Sequence, residues 1–129
     1  MPVTWEIQGA ILVVRLAGAF DLRDLDQAKA QVLEDPRFHP GLCLLLDARL
    51  SEADASVARI QRYVAFGANL GDMDLAKRWA LVVHEKSLVR YGMSRVLAAY
   101  LGLRGVDMLV TRDIVEALKW LAGRDPVER

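Results

Sequence analysis

Residues 42–56 read LCLLLDARLSEADAS, and the fold turns on how this stretch is parsed. Leu42, Cys43, Leu44, Leu45 and Leu46 run without polar alternation, so both faces of the segment must be covered, as in an inner strand of a parallel sheet. Asp47 and Arg49 follow, then Ser51, Glu52, Asp54 and Ser56. The spacing predicts that the strand ends at this polar run and that Ser51 caps a helix, with Asp54 three residues on. Sites in open α/β sheets lie just beyond such strand ends. Chemistry is therefore expected around this junction.

Upstream, Val3, Trp5 and Ile7 alternate with Thr4, Glu6 and Gln8, the period-two pattern of a half-buried edge strand. Gly9-Ala10 suits a type II′ hairpin turn into a second, more buried strand over 11–17, where Arg15 is the one charge and must reach solvent or a carboxylate. Asp21 is an N-cap with Asp24 three residues later, and Phe20 and Leu25 occupy the positions of a hydrophobic staple. Leu22, Leu25, Ala28, Val32 and Leu33 line one face of the helix, which Asp35-Pro36 stops.

Downstream, the second helix is expected to bury Val57, Ile60, Val64 and Ala68 and to end at Gly71. A polar connection leads to a buried strand over 79–83. Ser87 is placed to cap a helix to about residue 101, facing Val89, Met93, Val96, Leu97 and Tyr100 inward, with Gly102 as C-cap. A last strand over 106–110 precedes a helix capped by Thr111, with Ile114, Val115, Leu118 and Leu121 inward and Gly123 at its end. The order is β-β-α-β-α-β-α-β-α. It demands an α/β fold: a mostly parallel five-stranded sheet with an antiparallel N-terminal hairpin strand, four helices and right-handed crossovers. One domain over 1–123 and a frayed tail over 124–129 are expected.

Composition narrows the classes. The chain has 129 residues, 53% apolar and 26% charged, which suits one soluble domain with a core. Lys+Arg and Asp+Glu are both 17, so no net field draws nucleic acid or an anionic membrane. The single Cys43 cannot form an internal disulfide and reads as a small buried hydrophobe. The apolar run over 11–20 is short and interrupted by Arg15, too little to span a membrane. No basic region followed by an apolar core opens the chain, so no signal peptide is read and a cytoplasmic location is expected.

Three local motifs in this element order carry a family resemblance. They are Gly18-Ala19-Phe20 before the first helix, Leu46-Asp47-Ala48-Arg49 after the central strand, and the terminal run RDIVEALKWL, which includes Arg112, Asp113, Glu116, Ala117, Trp120 and Leu121. Together they resemble the SpoIIAA-like superfamily, which embraces STAS domains (sulfate transporter and anti-sigma-factor antagonist) and lipid-carrying CRAL-TRIO domains. The match is nearest to its small standalone bacterial members. The resemblance implies successive βα turns in a right-handed superhelix, and fold alone does not imply an activity.

Three functions are weighed on the residues. In anti-sigma-factor antagonists the second helix opens with a phosphorylated serine, and Asp54-Ala55-Ser56-Val57 stands at about that place. A helix N-terminus stabilises a phosphate, but Ala55 replaces the first serine of the motif and Val57 its small residue, and Ser56 reads more readily as an ordinary first-turn residue. Ser56 is thus the phospho-switch candidate of a regulatory or protein-interaction module, with Phe20, Asp21, Asp47, Arg49, Asp54, His84 and Arg112 as its partner or ligand surface. The second reading is a binder of a small apolar or anionic ligand at the C-terminal edge of the sheet. Phe66, Leu70, Met73 and Leu75 lie outside the second helix's stripe, and facing Tyr91, Tyr100 and Leu103 they would line a pocket or a homodimer surface. A chain this short suits a small ligand better than a large lipid. The third is a hydrolase using Asp47 and His84, with Arg112 holding an anion; against it, Asp47 reads as a turn cap paired with Arg49. No metal-ligand spacing, serine elbow or glycine-rich phosphate loop is present, so no cofactor is expected.

Overall fold

A computed structural model of the protein describes residues 2–52, 57–70, 74–84, 86 and 88–122. Its five strands are β1 (Val3–Gln8), β2 (Ile11–Gly18), β3 (Cys43–Ser51), β4 (Arg78–Val82) and β5 (Asp107–Thr111). The helices are α1 (Leu22–Glu34), α2 (Val57–Asn69), α3 (Leu88–Gly102) and α4 (Ile114–Leu121). The expected α/β architecture is the one observed. β1 pairs antiparallel with β2 through the two-residue Gly9-Ala10 loop, and Gly9 takes the positive φ of 59° that a type II′ turn needs at its first central position.

The strands lie in sequence order, β1-β2-β3-β4-β5, and every pair after the hairpin is parallel. Right-handed crossovers repeated without reversal place α1, α2 and α3 on one face of the sheet. Accordingly Ala28 and Val32 of α1, Leu70 after α2 and Leu101 of α3 share one core cluster with Leu12, Leu44 and Trp79. Among the described residues, α4, which follows the last strand, is the one helix on the other face, where Ala117 and Leu121 pack on Val13, Leu45, Ala80 and Val82. Each of these larger apolar side chains contributes about 1.5–3 kcal/mol through burial. Arg78 fastens α4 further: its Nε and Nη2 donate to the Trp120 carbonyl at 3.0 and 2.8 Å, and its guanidinium lies 3.9 Å from the Trp120 ring centroid.

The deciding stretch is parsed differently from its sequence reading. β3 does not stop at its polar run but continues through Asp47 and Arg49 to Ser51, so Ser51 is the end of a strand and not a helix cap. β2 reaches Gly18 and supplies a pairing partner as far as Ser51, and the Glu52 N–H closes the ladder on the Gly18 carbonyl at 2.8 Å. The polar residues taken for a turn lie on the less covered face of the strand. A β-bulge falls here as well. Arg15 pairs with Asp47 but Ala17 pairs with Leu50, so β3 accommodates one extra residue.

The helices keep their predicted places with shifted faces. α1 is capped as expected: Asp21 Oδ1 accepts from the backbone N–H groups of Arg23 and Asp24, and Asp24 Oδ2 accepts from the Asp21 N–H. Leu33, expected inside, is exposed. On α2, Ile60, Tyr63, Phe66 and Gly67 face inward, and Leu70 and Leu75 are buried core residues, not additions beside the stripe. On α3, Leu97 and Leu101 face the core while Val89, Val96 and Tyr100 are exposed. Apolar residues are scattered around α3 among Arg90, Ser94 and Arg95, so no single stripe marks its inner face. The cap of α4 is Asp113, whose carboxylate accepts from the Val115 N–H at 2.9 Å; Thr111 ends β5 instead. Ala117 and Trp120 take the inward places expected of Val115 and Leu118. Gly71, Ser87 and Gly123 lie outside the described residues, as do the side chains of Val57 and Ala68.

Candidate functional site

Beneath α2 and α3 the sheet is not fully packed. A half-open cavity of about 150 Å³ lies between them. Its floor is the helix-bearing face of the sheet: Leu16 from β2, Leu46 and Ala48 from β3, Trp79 and Leu81 from β4 and Met108 from β5. Ile60, Tyr63, Phe66 and Gly67 form one wall, and Met93, Leu97 and Leu101 the other. Phe20 and Leu25 close the side toward α1, with the Phe20 and Tyr63 rings stacked at a centroid distance of 6.1 Å. Arg59 steadies that corner, donating from Nη2 to the Phe20 carbonyl at 2.8 Å and from Nε to the Tyr63 hydroxyl at 3.2 Å. Gly67 is required where α2 crosses: a Cβ there would come within 2.9 Å of Leu101 Cδ2 and 3.4 Å of Trp79.

The cavity has one polar end, and the bulge in β3 builds it. In an unbroken strand Leu50 would share the face of Leu46 and Ala48. The extra residue turns Leu50 out, 74% exposed, and brings Ser51 inward, where it is buried and lines the cavity. Arg90 and Ser94, one turn apart on α3 and so on the same helix face, complete this end. Arg90 Nη1 donates to the Ser51 carbonyl. Ser51 ends β3, Val83 follows β4 and Arg90 lies in the first turn of α3, so the polar end coincides with the C-terminal edge of the sheet. Among the described residues, Arg90 is the one charged side chain that lines the cavity, and no carboxylate or imidazole does. The site is thus equipped to hold a molecule by burial and one positive charge. Among the described residues that line it, none is a general base for the Ser51 or Ser94 hydroxyls.

Of the residues expected to form a site, Phe20 belongs to this cavity and is buried in its lining. Asp21 works as the α1 cap, with Arg23 3.6 Å away. Asp47 alternates with Leu46 and Ala48, away from the cavity. Arg49 clamps it with hydrogen bonds from Nε at 2.8 Å and Nη2 at 2.7 Å. Those bonds hold the Asp47 carboxyl below the ordinary aspartate range against the opposing effect of burial, with the Arg49 backbone N–H assisting. A carboxylate so stabilised is a weak base near neutral pH. Beside it Arg15 pairs with Glu6 at 3.1 Å, as its lone charge in a buried strand required. His84 is exposed, and its Nδ1 accepts from the Lys86 N–H at 3.0 Å. Arg112 is exposed too and lies over the Tyr91 ring, 4.9 Å from its centroid. Asp47, His84 and Arg112 thus have separate partners. Asp54 and Ser56 lie outside the described residues, as does Met73.

Phe66 and Leu70 do line the cavity, but Tyr100 and Leu103 point out to solvent and do not face them. Arg90, Ser94 and Tyr63 were not singled out in the sequence, and Ser51 was read there only as a helix cap. Arg90, Ser94, Leu97 and Leu101 follow helical spacing, the one available signal, yet the neighbouring apolar series from Val89 offered a stronger one. Among the described residues no cluster of three metal-ligating side chains occurs, and no helix is long and apolar enough to cross a membrane. Burial pushes the Cys43 thiol up from its ordinary pKa, although Arg78 opposes this. That keeps it protonated and unreactive.

No protein-family model matches the chain, and no curated protein matches its sequence. Among solved structures it is similar to an uncharacterized protein from Shewanella loihica, described as a DUF3478 family member with a SpoIIAA-like fold. The TM-score is 0.63 at 17% identity, covering 92% of this chain and 91% of that one. The fold is SpoIIAA-like, as the motifs implied.

Proposed function

We propose that the protein is a non-enzymatic binder of a small apolar ligand, held in the cavity beneath α2 and α3. The observation that carries this reading is an apolar space of about 150 Å³ between α2, α3 and the sheet, with Ser51, Arg90 and Ser94 at its end. An enclosed apolar cavity of that size takes up a benzene-sized body, and a half-open one gives such a body a way in. Leaving it empty forfeits the dispersion contacts of its lining, a cost that an occupant removes. Octanol titrated into the protein is expected to shift the methyl resonances of Met93 and Met108 while leaving Leu45, on the opposite face, unmoved. If neither methionine responds, the cavity has no such role.

A second reading, an interaction module, is favoured by a different observation. Leu88, Val89, Val96, Tyr100 and Leu103 are all exposed on or just beyond α3. Such an apolar strip suits contact with a second copy of the chain. Light scattering should then report a dimer that Val89→Glu and Leu103→Glu together convert to monomer; a monomeric wild type at high concentration would dispose of this reading. The phospho-switch at Ser56 stays a separate proposal for the same class of function. Its test is Ser56→Asp against Ser56→Ala in partner binding, and equal binding by both would remove it.

A further inference from the structure

We infer that the ligand of this cavity is a compact aromatic molecule, a single ring held among Phe20, Tyr63, Phe66 and Trp79 with the Met93 and Met108 thioethers beside it. This rests on the ligand-binding reading of the cavity and specifies the body that the cavity takes. The rings come from three directions. Trp79 lies on the floor, Phe20 at the corner toward α1, and Tyr63 and Phe66 one turn apart on the α2 wall. Met93 stands on the facing α3 wall and Met108 on β5. The opposite face of the sheet is different in kind. Among the described residues, Trp120 is the one ring packed with its core cluster, and the Arg78 guanidinium covers it. Aromatic side chains and thioethers are thus gathered where the open space is.

Such a lining favours an aromatic occupant over a saturated one of the same size. Aromatic pairs in offset or edge-to-face contact gain more than their buried area supplies, because the electron-rich face of one ring meets the electron-poor edge of the other. Thioether sulfur adds favourable contacts to a ring edge, and the flexible methionine side chain adjusts to its outline. Three of the four rings are set before a ligand arrives. Trp79 Nε1 donates to the Ala76 carbonyl at 2.9 Å, the Tyr63 hydroxyl accepts from Arg59 Nε at 3.2 Å, and Phe20 stacks on Tyr63. Little ordering of the lining is then lost on binding. The size of the space argues the same way. About 150 Å³ takes a benzene-sized body, and an alkyl chain folded into it gives up rotamer freedom that a rigid ring never had.

Benzyl alcohol and cyclohexylmethanol share a skeleton and a hydroxyl and differ in the ring. Each is titrated into the intact protein, with octanol as a third probe, and affinities are read from the methyl resonances of Met93 and Met108. Cyclohexylmethanol has the larger apolar surface, so an indifferent hydrocarbon pocket would bind it more tightly. Benzyl alcohol is expected instead to bind about fivefold more tightly than cyclohexylmethanol. Phe66→Leu, shown folded by circular dichroism, should lower that ratio to about twofold, and the wild-type comparison stands without it. Cyclohexylmethanol binding as tightly as benzyl alcohol, or a ratio that Phe66→Leu leaves untouched, overturns the aromatic assignment. Octanol binding alone also overturns it while the cavity reading stands. Failure of all three to bind overturns the cavity reading beneath it, a distinguishable result.

Discussion

The two faces of the sheet are built from the same strands and meet opposite fates. Strand alternation sends Val13, Leu45, Ala80 and Val82 to the face under α4, and Leu16, Leu46, Trp79 and Leu81 to the face under α2 and α3. On the first, Ala80 and Ala117 both have no exposed surface, and these small side chains let an eight-residue helix settle close to the strands. On the second, larger and longer side chains hold two helices away from the floor, and about 150 Å³ is left between them. The comparison teaches that apolar composition and burial do not ensure close packing. Complementarity between small and large residues does.

The largest effect that tests this contrast is truncation. Leu45→Ala is expected to cost about 3 kcal/mol, since its neighbours under α4 cannot collapse into the space. Leu46→Ala, on the cavity floor, should cost clearly less, roughly 1–2 kcal/mol, because it widens a void already present. Urea denaturation of the two variants measures the difference, and equal losses would mean that the two faces are equally well packed.

Enlargement should invert the order. Ala80→Leu is expected to destabilise by about 1–3 kcal/mol through overpacking. Ala48→Leu fills space beside the cavity and should be neutral or stabilising by up to about 1 kcal/mol, while weakening octanol binding. A strongly destabilised Ala48→Leu protein would indicate that the space is not open to a side chain.

The smallest effect concerns the charged pair set away from the cavity. Asp47 has a folded pKa depressed by Arg49, so its contribution is present above the ordinary value of 3.8 and is lost as pH falls through the folded value. Asp47→Asn should therefore lessen the acid sensitivity of stability below about pH 4, by under about 1 kcal/mol because the pair is partly solvated. Octanol binding at neutral pH should not change. A loss of binding would link the two faces and blur the contrast between them.

The fold was largely legible in the chain because it depends on local rules. The hairpin followed from Gly9-Ala10, the α1 boundary from Asp21 and Asp24, and the inner strands from the unbroken runs at Leu42–Leu46 and from Trp79 onward. The site was much less legible. Phe20, Phe66 and Leu70 were noticed as apolar residues of interest, but Arg90 and Ser94 were not, and Ser51 was taken for a helix cap. Helix orientation was the main obstacle: apolar residues are scattered around α3, and selecting Val89 over Arg90 as its inner face is a rotation of one residue, about 100°.

The sequence by itself determined the element order, the parallel sheet and the cap of α1, since periodicity and capping act over a few residues, while the caps read at Ser51 and Thr111 proved to be strand ends. Tertiary structure alone decided that β3 runs on to Ser51, because the ladder needs the length of β2 beside it. It also decided, through one bulged residue, that Ser51 and not Leu50 faces the cavity. The cavity itself exists because the strand order never reverses: three crossovers crowd onto one face, and the fit between α2, α3 and the floor depends on side chains far apart in the chain.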